Sequence, residues 1–313
     1  MKHKDKHELA NGGDWIVLSG MKEEGSPQIR DRTEMKTEEK DKLSYALIGY
    51  AMAAHREIGP GLDESFYHQF MYERARADGL ELLTKPRGQL MHRQRAIDLF
   101  ECDLLVPQRL ICELKVLRGA FAAEHYAQIF CYLKFWGIRV GLLFDFGKES
   151  LVYKRIVRDE IPLPAFSIEA FVSGAPPDQT DQACASLIAR AISRILTEFG
   201  LGYRDTTYEA LFCAELAAES IAFDFPAVVR VIAEREQLGE ARLKCIALRE
   251  GIAVSVVAWR QEITAADRAI HQTYLKHLGG HWGVVINFGK REMLWQFVHP
   301  PSRKSAELIC VPS

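Results

Sequence analysis

Residues Glu101 to Lys115 read ECDLLVPQRLICELK. The pattern predicts two short strands joined at Pro107-Gln108, rich in Leu, Val, Ile and Cys. Side chains alternate across a strand. Ile111, Glu113 and Lys115 therefore share one face, and Leu110, Cys112 and Leu114 the other. Asp103 falls late in the first strand, before apolar Leu104, Leu105 and Val106. Charges on an apolar strand are costly to bury unless they are paired or bind a metal. Two carboxylates on adjacent strands, with a Lys beside one, suit a hard cation such as Mg²⁺. Such a cation lowers the pKa of bound water and steadies developing negative charge. The competing reading of Asp103, Glu113 and Lys115 is a structural ion pair, because so short a pattern also arises by accident.

Upstream, Leu43, Leu47, Ile48, Ala51 and Ala54 recur at helical spacing, and Gly59-Pro60-Gly61 ends that helix. Asp63 is placed to cap a second helix with Glu64 in its first turn, Tyr67 one turn on, and Phe66, Phe70 and Met71 facing inward. Gly79 closes it. Leu82 to Phe100 holds strand-like pieces around KPRGQLMHRQR, which carries Lys85, Arg87, Arg93 and Arg95 and no acid. A solvated hairpin and a phosphate-contacting segment are equally consistent with it. Downstream, Phe121 to Trp136 reads as a helix with Glu124, Gln128 and Tyr132 in one stripe. Gln128 is either surface or reaches toward the strand carboxylates. Arg139 to Phe146 and Leu151 to Ile156 read as further strands. The order gives an α/β sandwich with a mixed central sheet.

The 313 residues leave room for two domains, and 48% hydrophobic with 26% charged residues is ordinary for a soluble globular protein. A net charge of −2 gives no global basic field, so nucleic-acid binding would need a local patch. Seven cysteines without a Cys-x-x-Cys pair speak against a disulfide framework or zinc ribbon. No apolar run reaches spanning length and no signal peptide opens the chain, so the expectation is a cytoplasmic protein without membrane association. Residues 1–40 read as a mobile charged tail that only Trp15 to Leu18 could anchor. Residues 161–181, with several prolines, read as a linker and 301–313 as a C-terminal tail.

After the linker the first half repeats. Tyr132-Leu133-Lys134 returns as Tyr274-Leu275-Lys276, and Asp145-Phe146-Gly147-Lys148 as Asn287-Phe288-Gly289-Lys290, both offset by 142. Gly59-Pro60-Gly61 with Tyr67 returns as Gly200-Leu201-Gly202 with Tyr208, offset by 141. The same offsets put Cys245 at the place of Asp103, Ser255 at Glu113, Val257 at Lys115, Ile270 at Gln128 and Asp205 at Glu64. Charges needed only for folding would have been kept in both copies. Their loss from residues 182–300 therefore favours a functional role for them in 41–160.

The motifs HREIGPGLDESFYHQF, ECDLLV, ICELKV, AQIFCYLKFWG and VGLLFDFG resemble the bacterial GxxExxY proteins, members of the PD-(D/E)XK nuclease-like superfamily. The namesake motif corresponds to Gly61-x-x-Glu64-x-x-Tyr67. The resemblance covers roughly 42–158 and extends to 182–298 as a degraded repeat. It implies two tandem restriction-endonuclease-like αβββαβ domains and Mg²⁺-dependent (or Mn²⁺-dependent) phosphodiester hydrolysis. Carried over, Asp103, Glu113 and Glu64 would ligate the metal, with the Leu114 carbonyl as a further oxygen. Lys115 would orient or activate the attacking water, and Gln128 and Tyr132 would support the site.

The expected function is a metal-dependent nuclease with one active and one inactive copy, acting on nucleic acid, with DNA the first candidate. The two copies are expected to pack as an internal pseudo-dimer. The alternative is a non-catalytic nucleic-acid-binding or scaffolding protein on the same fold. A transferase lacks support, since no glycine-rich phosphate loop is present.

Overall fold

A computed structural model describes residues 15–19 and 37–300. By internal contacts the chain divides into two compact units. The first takes in Asp98–Arg158 and the chain up to Met91; the second takes in His92–Ile97 and the chain from Asp159.

In the first unit, β1 (Trp15–Ser19) precedes helices α1 (Thr37–Ile58) and α2 (Glu64–Ala77). Strands β2 (Leu83–Thr84), β3 (Arg87–His92), β4 (Arg95–Glu101), β5 (Leu104–Val106) and β6 (Leu110–Lys115) follow, the end of β3 and the start of β4 counting with the second unit. Helix α3 (Ala123–Phe135) then leads to β7 (Val140–Asp145) and β8 (Val152–Val157). The main sheet runs β2-β5-β6-β7-β8. Its β6–β7 pair is parallel and spanned by α3, and the others are antiparallel. Strands β1, β3 and β4 form a separate small sheet, with β1 parallel to β3. Of the expected N-terminal tail, Trp15–Ser19 is thus a strand; its other residues before 37, and the tail at 301–313, lie outside the described residues.

The helix α2 begins where the sequence predicts, with the Asp63 carboxylate accepting from Ser65 N at 2.9 Å. Its inward stripe is Tyr67, Met71 and Ala75, four residues apart on one face. Phe66, expected inside, lies off that stripe and is 56% exposed. Leu110, Cys112 and Leu114 of β6 join α1 and α2 in the core, with Leu43, Leu47, Tyr67 and Met71. Burying each such large apolar side chain contributes about 1.5–3 kcal/mol. Asp103 stands at a bend just before β5 and not within a strand.

The second unit comprises α4 (Ile168–Ser173), α5 (Gln179–Phe199), α6 (Asp205–Ala218), β9 (Phe223–Asp224), β10 (Ala227–Ala233) and β11 (Glu236–Leu243). It continues through β12 (Ile246–Leu248), β13 (Ile252–Ala258), α7 (Ala265–Leu278), β14 (Trp282–Phe288) and β15 (Met293–Val298). Its five-stranded sheet, β15-β14-β13-β12-β9, has the same connectivity as the first, with β13–β14 parallel. The stretch 161–181 is more structured than a linker. It contains α4, whose Phe171 is fully buried against Phe166, Trp295 and Phe297. Its prolines precede and follow that helix, where they cost no helical hydrogen bond.

The repeat is preserved down to single bonds. Gly59 and Gly61 have φ of 83° and 84°, and Gly200 and Gly202 have 58° and 114°. A side chain strains that left-handed backbone. Tyr67 donates its hydroxyl to Gly59 O at 2.7 Å and accepts from Leu62 N at 3.0 Å. Tyr208 donates to Gly200 O at 2.7 Å and accepts from Tyr203 N at 3.3 Å. The β3–β4 turn at Arg93-Gln94 and the β10–β11 turn at Glu234-Arg235 share the same pair of positive φ angles.

Candidate active site

The bend before β5 brings Asp103 beside β6. Its Oδ2 accepts from Leu114 N at 2.7 Å. Its carbonyl accepts from Lys85 N at 2.8 Å and from His68 Nε2 at 3.0 Å. Because Cys112 and Leu114 are turned into the core, Glu113 and Lys115 project from the other face of β6. Glu113 is 2% exposed. Lys115 Nζ donates to its Oε1 at 2.6 Å, while its Oε2 is buried with no hydrogen-bond partner. Glu64, in the first turn of α2, accepts from Val116 N at 3.1 Å.

These charges act on one another. Burial, followed by the nearby Asp103, pushes the Glu113 carboxyl up to about 8 against the pull of Lys115. Burial also raises Glu64, opposed by Lys115. For Lys115, burial favours the neutral amine, but the Glu113 carboxylate outweighs it and the net shift is upward. Tyr132 of α3 is raised by burial and then by the charge of Glu113, and accepts from Gln128 Nε2 at 2.8 Å. Gln128 thus bonds Tyr132, whose ring stands within the electrostatic reach of Glu113 and Asp103.

A pocket of about 540 Å³ opens on the α2 side. It is lined by Gly61 to Ser65, His68, Lys85, Asp103, Leu114 and Val116. Glu64, Asp103 and Leu114 line this pocket; Glu113 and Lys115 do not, though their charges act on Asp103 and Lys115 also acts on Glu64. The structure does not gather the basic segment. Lys85 lines the pocket, whereas Arg87 is paired with Glu101. Arg93 and Arg95 count with the second unit, where Arg93 Nε bonds the fully buried Glu215 at 3.1 Å. The sequence reading passed over His68; its only signal was its place one turn after Glu64.

The donor set bears on the metal. Asp103, Glu113 and Glu64 are hard oxygen donors, and the orphaned Glu113 Oε2 is a buried acceptor needing a partner. Among the described residues, no three His, Cys, Asp or Glu side chains gather closely enough to hold a metal ion by themselves. The set fits a cation carried by one or two carboxylates plus water and substrate oxygens, as Mg²⁺ commonly is.

The second unit keeps polar residues at the corresponding places, but different ones. Lys244, next to Cys245, bonds Asp205 at 2.8 Å and lies 3.6 Å from Glu209, which is buried. Ser255 Oγ bonds His271 Nδ1 at 2.7 Å, and burial lowers His271 to about 4.

With this geometry in place, the comparisons identify the class. The family model of the PD-(D/E)XK nuclease superfamily matches residues 41–158 and again 182–297. The chain belongs to that superfamily, as two tandem domains. No curated protein matches it. Among solved structures, the crystal structure of SSO0001 is similar at 11% identity and a TM-score of 0.27, over 51% of this chain and 68% of that one. No described helix is long and apolar enough to cross a membrane.

Proposed function

We propose that the first unit is a divalent-metal-dependent nuclease of the GxxExxY type and that the second unit is catalytically silent. The observation carrying this reading is the Asp103–Glu113–Lys115 cluster, with a buried carboxylate oxygen left without a partner at its centre. Asp103 and Glu113 would hold Mg²⁺ or Mn²⁺, with Glu64 and the Leu114 carbonyl completing the oxygen set. When bound, the cation supplies Lewis-acid activation of water and neutralises charge on the phosphate.

The chain's own groups supply the rest. Lys115 Nζ orients the attacking water and steadies the negative charge that develops on the phosphoryl oxygens. Tyr132, with Gln128 bonded to its hydroxyl, closes the α3 side and keeps the dielectric around Glu113 low, which strengthens each charge interaction there. Lys85 meets substrate phosphate at the pocket mouth. Nucleic acid, first of all DNA, is the substrate class.

The test is cleavage of labelled single- and double-stranded DNA and RNA with Mg²⁺ or Mn²⁺, by the wild type and by Asp103→Asn and Lys115→Ala. Lys115→Ala should retain substrate affinity and lose turnover by about 100-fold or more. Cleavage unaffected by either substitution would end the reading. Nucleic-acid binding without metal-dependent cleavage would favour the non-catalytic binding alternative.

A further inference from the structure

We infer that His68 is a positioning residue for Asp103, and through it for the cation of the proposed site; the inference rests on that reading. Among the contacts that hold Asp103 at its bend are three donors to it: Lys85 N and His68 Nε2 on its carbonyl, and Leu114 N on its carboxylate. Two of these donors are backbone amides, which almost any residue supplies. His68 is the one side chain of the three. A carbonyl only accepts, so His68 carries its proton on Nε2 and donates. His68 lies four residues after Glu64, on the same face of α2, and both line the pocket with Asp103. One helix thus presents an acid to the site directly and clasps a second acid through its backbone.

The second unit supports a functional origin for this contact. At the repeat offsets His68 becomes Glu209 and Asp103 becomes Cys245. A carboxylate cannot donate to a carbonyl, and Glu209 is instead turned toward Lys244. The donor is lost at the same time as the acid, although the backbone carbonyl it would meet is still present at Cys245. The neighbouring tyrosine–glycine bond, by contrast, is 2.7 Å in each unit. The fold keeps the bond it requires, and the His68 contact goes with the acid it holds.

Groups that orient metal ligands from behind are typically worth about 10–100-fold in metal affinity or activity. The test is Mn²⁺ titration of the full chain, with free Mn²⁺ read by electron paramagnetic resonance, for wild type, Asp103→Asn, His68→Leu and His68→Gln. The wild type should show a site that Asp103→Asn abolishes. His68→Leu should weaken that site by about 10–100-fold, and His68→Gln, whose amide can donate, should recover most of the loss. In cleavage assays His68→Leu should raise the Mn²⁺ concentration needed for half-activation while leaving KM for substrate unchanged. Wild-type affinity in His68→Leu, or equal weakening in His68→Leu and His68→Gln, would overturn the inference. A wild type with no Asp103-dependent Mn²⁺ site would fail the nuclease reading itself and this inference with it. If circular dichroism shows His68→Leu to be unfolded, His68→Phe, which keeps the ring volume, takes its place.

Discussion

Tyr208 lies flat on Phe288, ring centroids 4.0 Å apart and planes 4° from parallel. In the first unit Tyr67 stacks on Phe146 at 4.2 Å and 16°. In both, the ring bridges the loop before its helix and the end of a central strand, and the hydroxyl ties down the glycine turn. This pair is therefore a device of the fold and not of the chemistry. Tyr67→Phe and Tyr208→Phe should each cost about 1–3 kcal/mol, because each leaves a glycine carbonyl and a backbone N–H without their partner. Chemical denaturation of each variant checks this. A loss confined to Tyr67→Phe would mean that the tyrosine serves the site alone.

Glu113 predicts an unusual pH response for the metal-free chain. Its folded pKa stands near 8, above its ordinary 4.5. The native state therefore binds the proton more tightly than the unfolded state, and stability falls as pH rises through that interval. Glu113→Gln should flatten this slope between about pH 5 and 8. Saturating Mn²⁺ should flatten it too, since a bound cation favours the carboxylate. Urea denaturation at several pH values measures it. An unchanged slope in Glu113→Gln would assign the dependence to another group.

Much of the fold was legible because burial writes a period into the sequence. The alternation of Leu110, Cys112 and Leu114 against Glu113 and Lys115 gave the face each residue occupies, and the near-constant offset of the tyrosine and Phe-Gly motifs, 141 and 142, gave the duplication. Phe66 was misplaced because a large apolar residue beside a helix start says nothing of the helix's phase, which Tyr67 and Met71 set. The helix at Ile168–Ser173 was hidden among prolines, since Phe171 is held by tertiary contact with Trp295 and Phe297. His68 was missed because its contact is with a backbone carbonyl, which leaves no pattern in side-chain identities. Of the replacement cluster, Asp205 was legible as the counterpart of Glu64, whereas Lys244 and Glu209 were missed because they occupy the places of Cys102 and His68, which carry no acid in the first unit.

The basic segment divides into separate roles. Lys85 is exposed at the pocket, so Lys85→Ala should reduce the salt dependence of nucleic-acid binding by about one counterion. Arg93 is tied to Glu215, which is fully buried and held low in pKa despite burial by Arg93, Arg194 and His92. Arg93→Ala should leave the salt slope alone and cost about 1–3 kcal/mol of stability instead. Binding isotherms across a salt series, with a denaturation curve for each variant, separate the two. A lowered slope in Arg93→Ala would restore it to the binding surface.

The last prediction concerns the number of active centres. At the places of Asp103, Glu113 and Lys115 the second unit has Cys245, Ser255 and Val257, and Ser255 is committed to His271. There Lys244 bonds Asp205 and lies 3.6 Å from Glu209, which keeps one buried oxygen without a hydrogen-bond partner, so it is the replaced Asp103, Glu113 and Lys115 positions alone that speak against a cation in the second unit. On the proposed function each chain has one centre and should cut one strand per binding event. On supercoiled plasmid, a preparation shown to be monomeric should accumulate nicked circles before any linear product. Ser255→Ala and Asp205→Asn, if folded, should cleave at the wild-type rate, while Asp103→Asn should abolish both products. Direct linearisation by a monomer, or loss of cleavage in a folded Ser255→Ala that still binds substrate, would show that the second unit takes part in the chemistry.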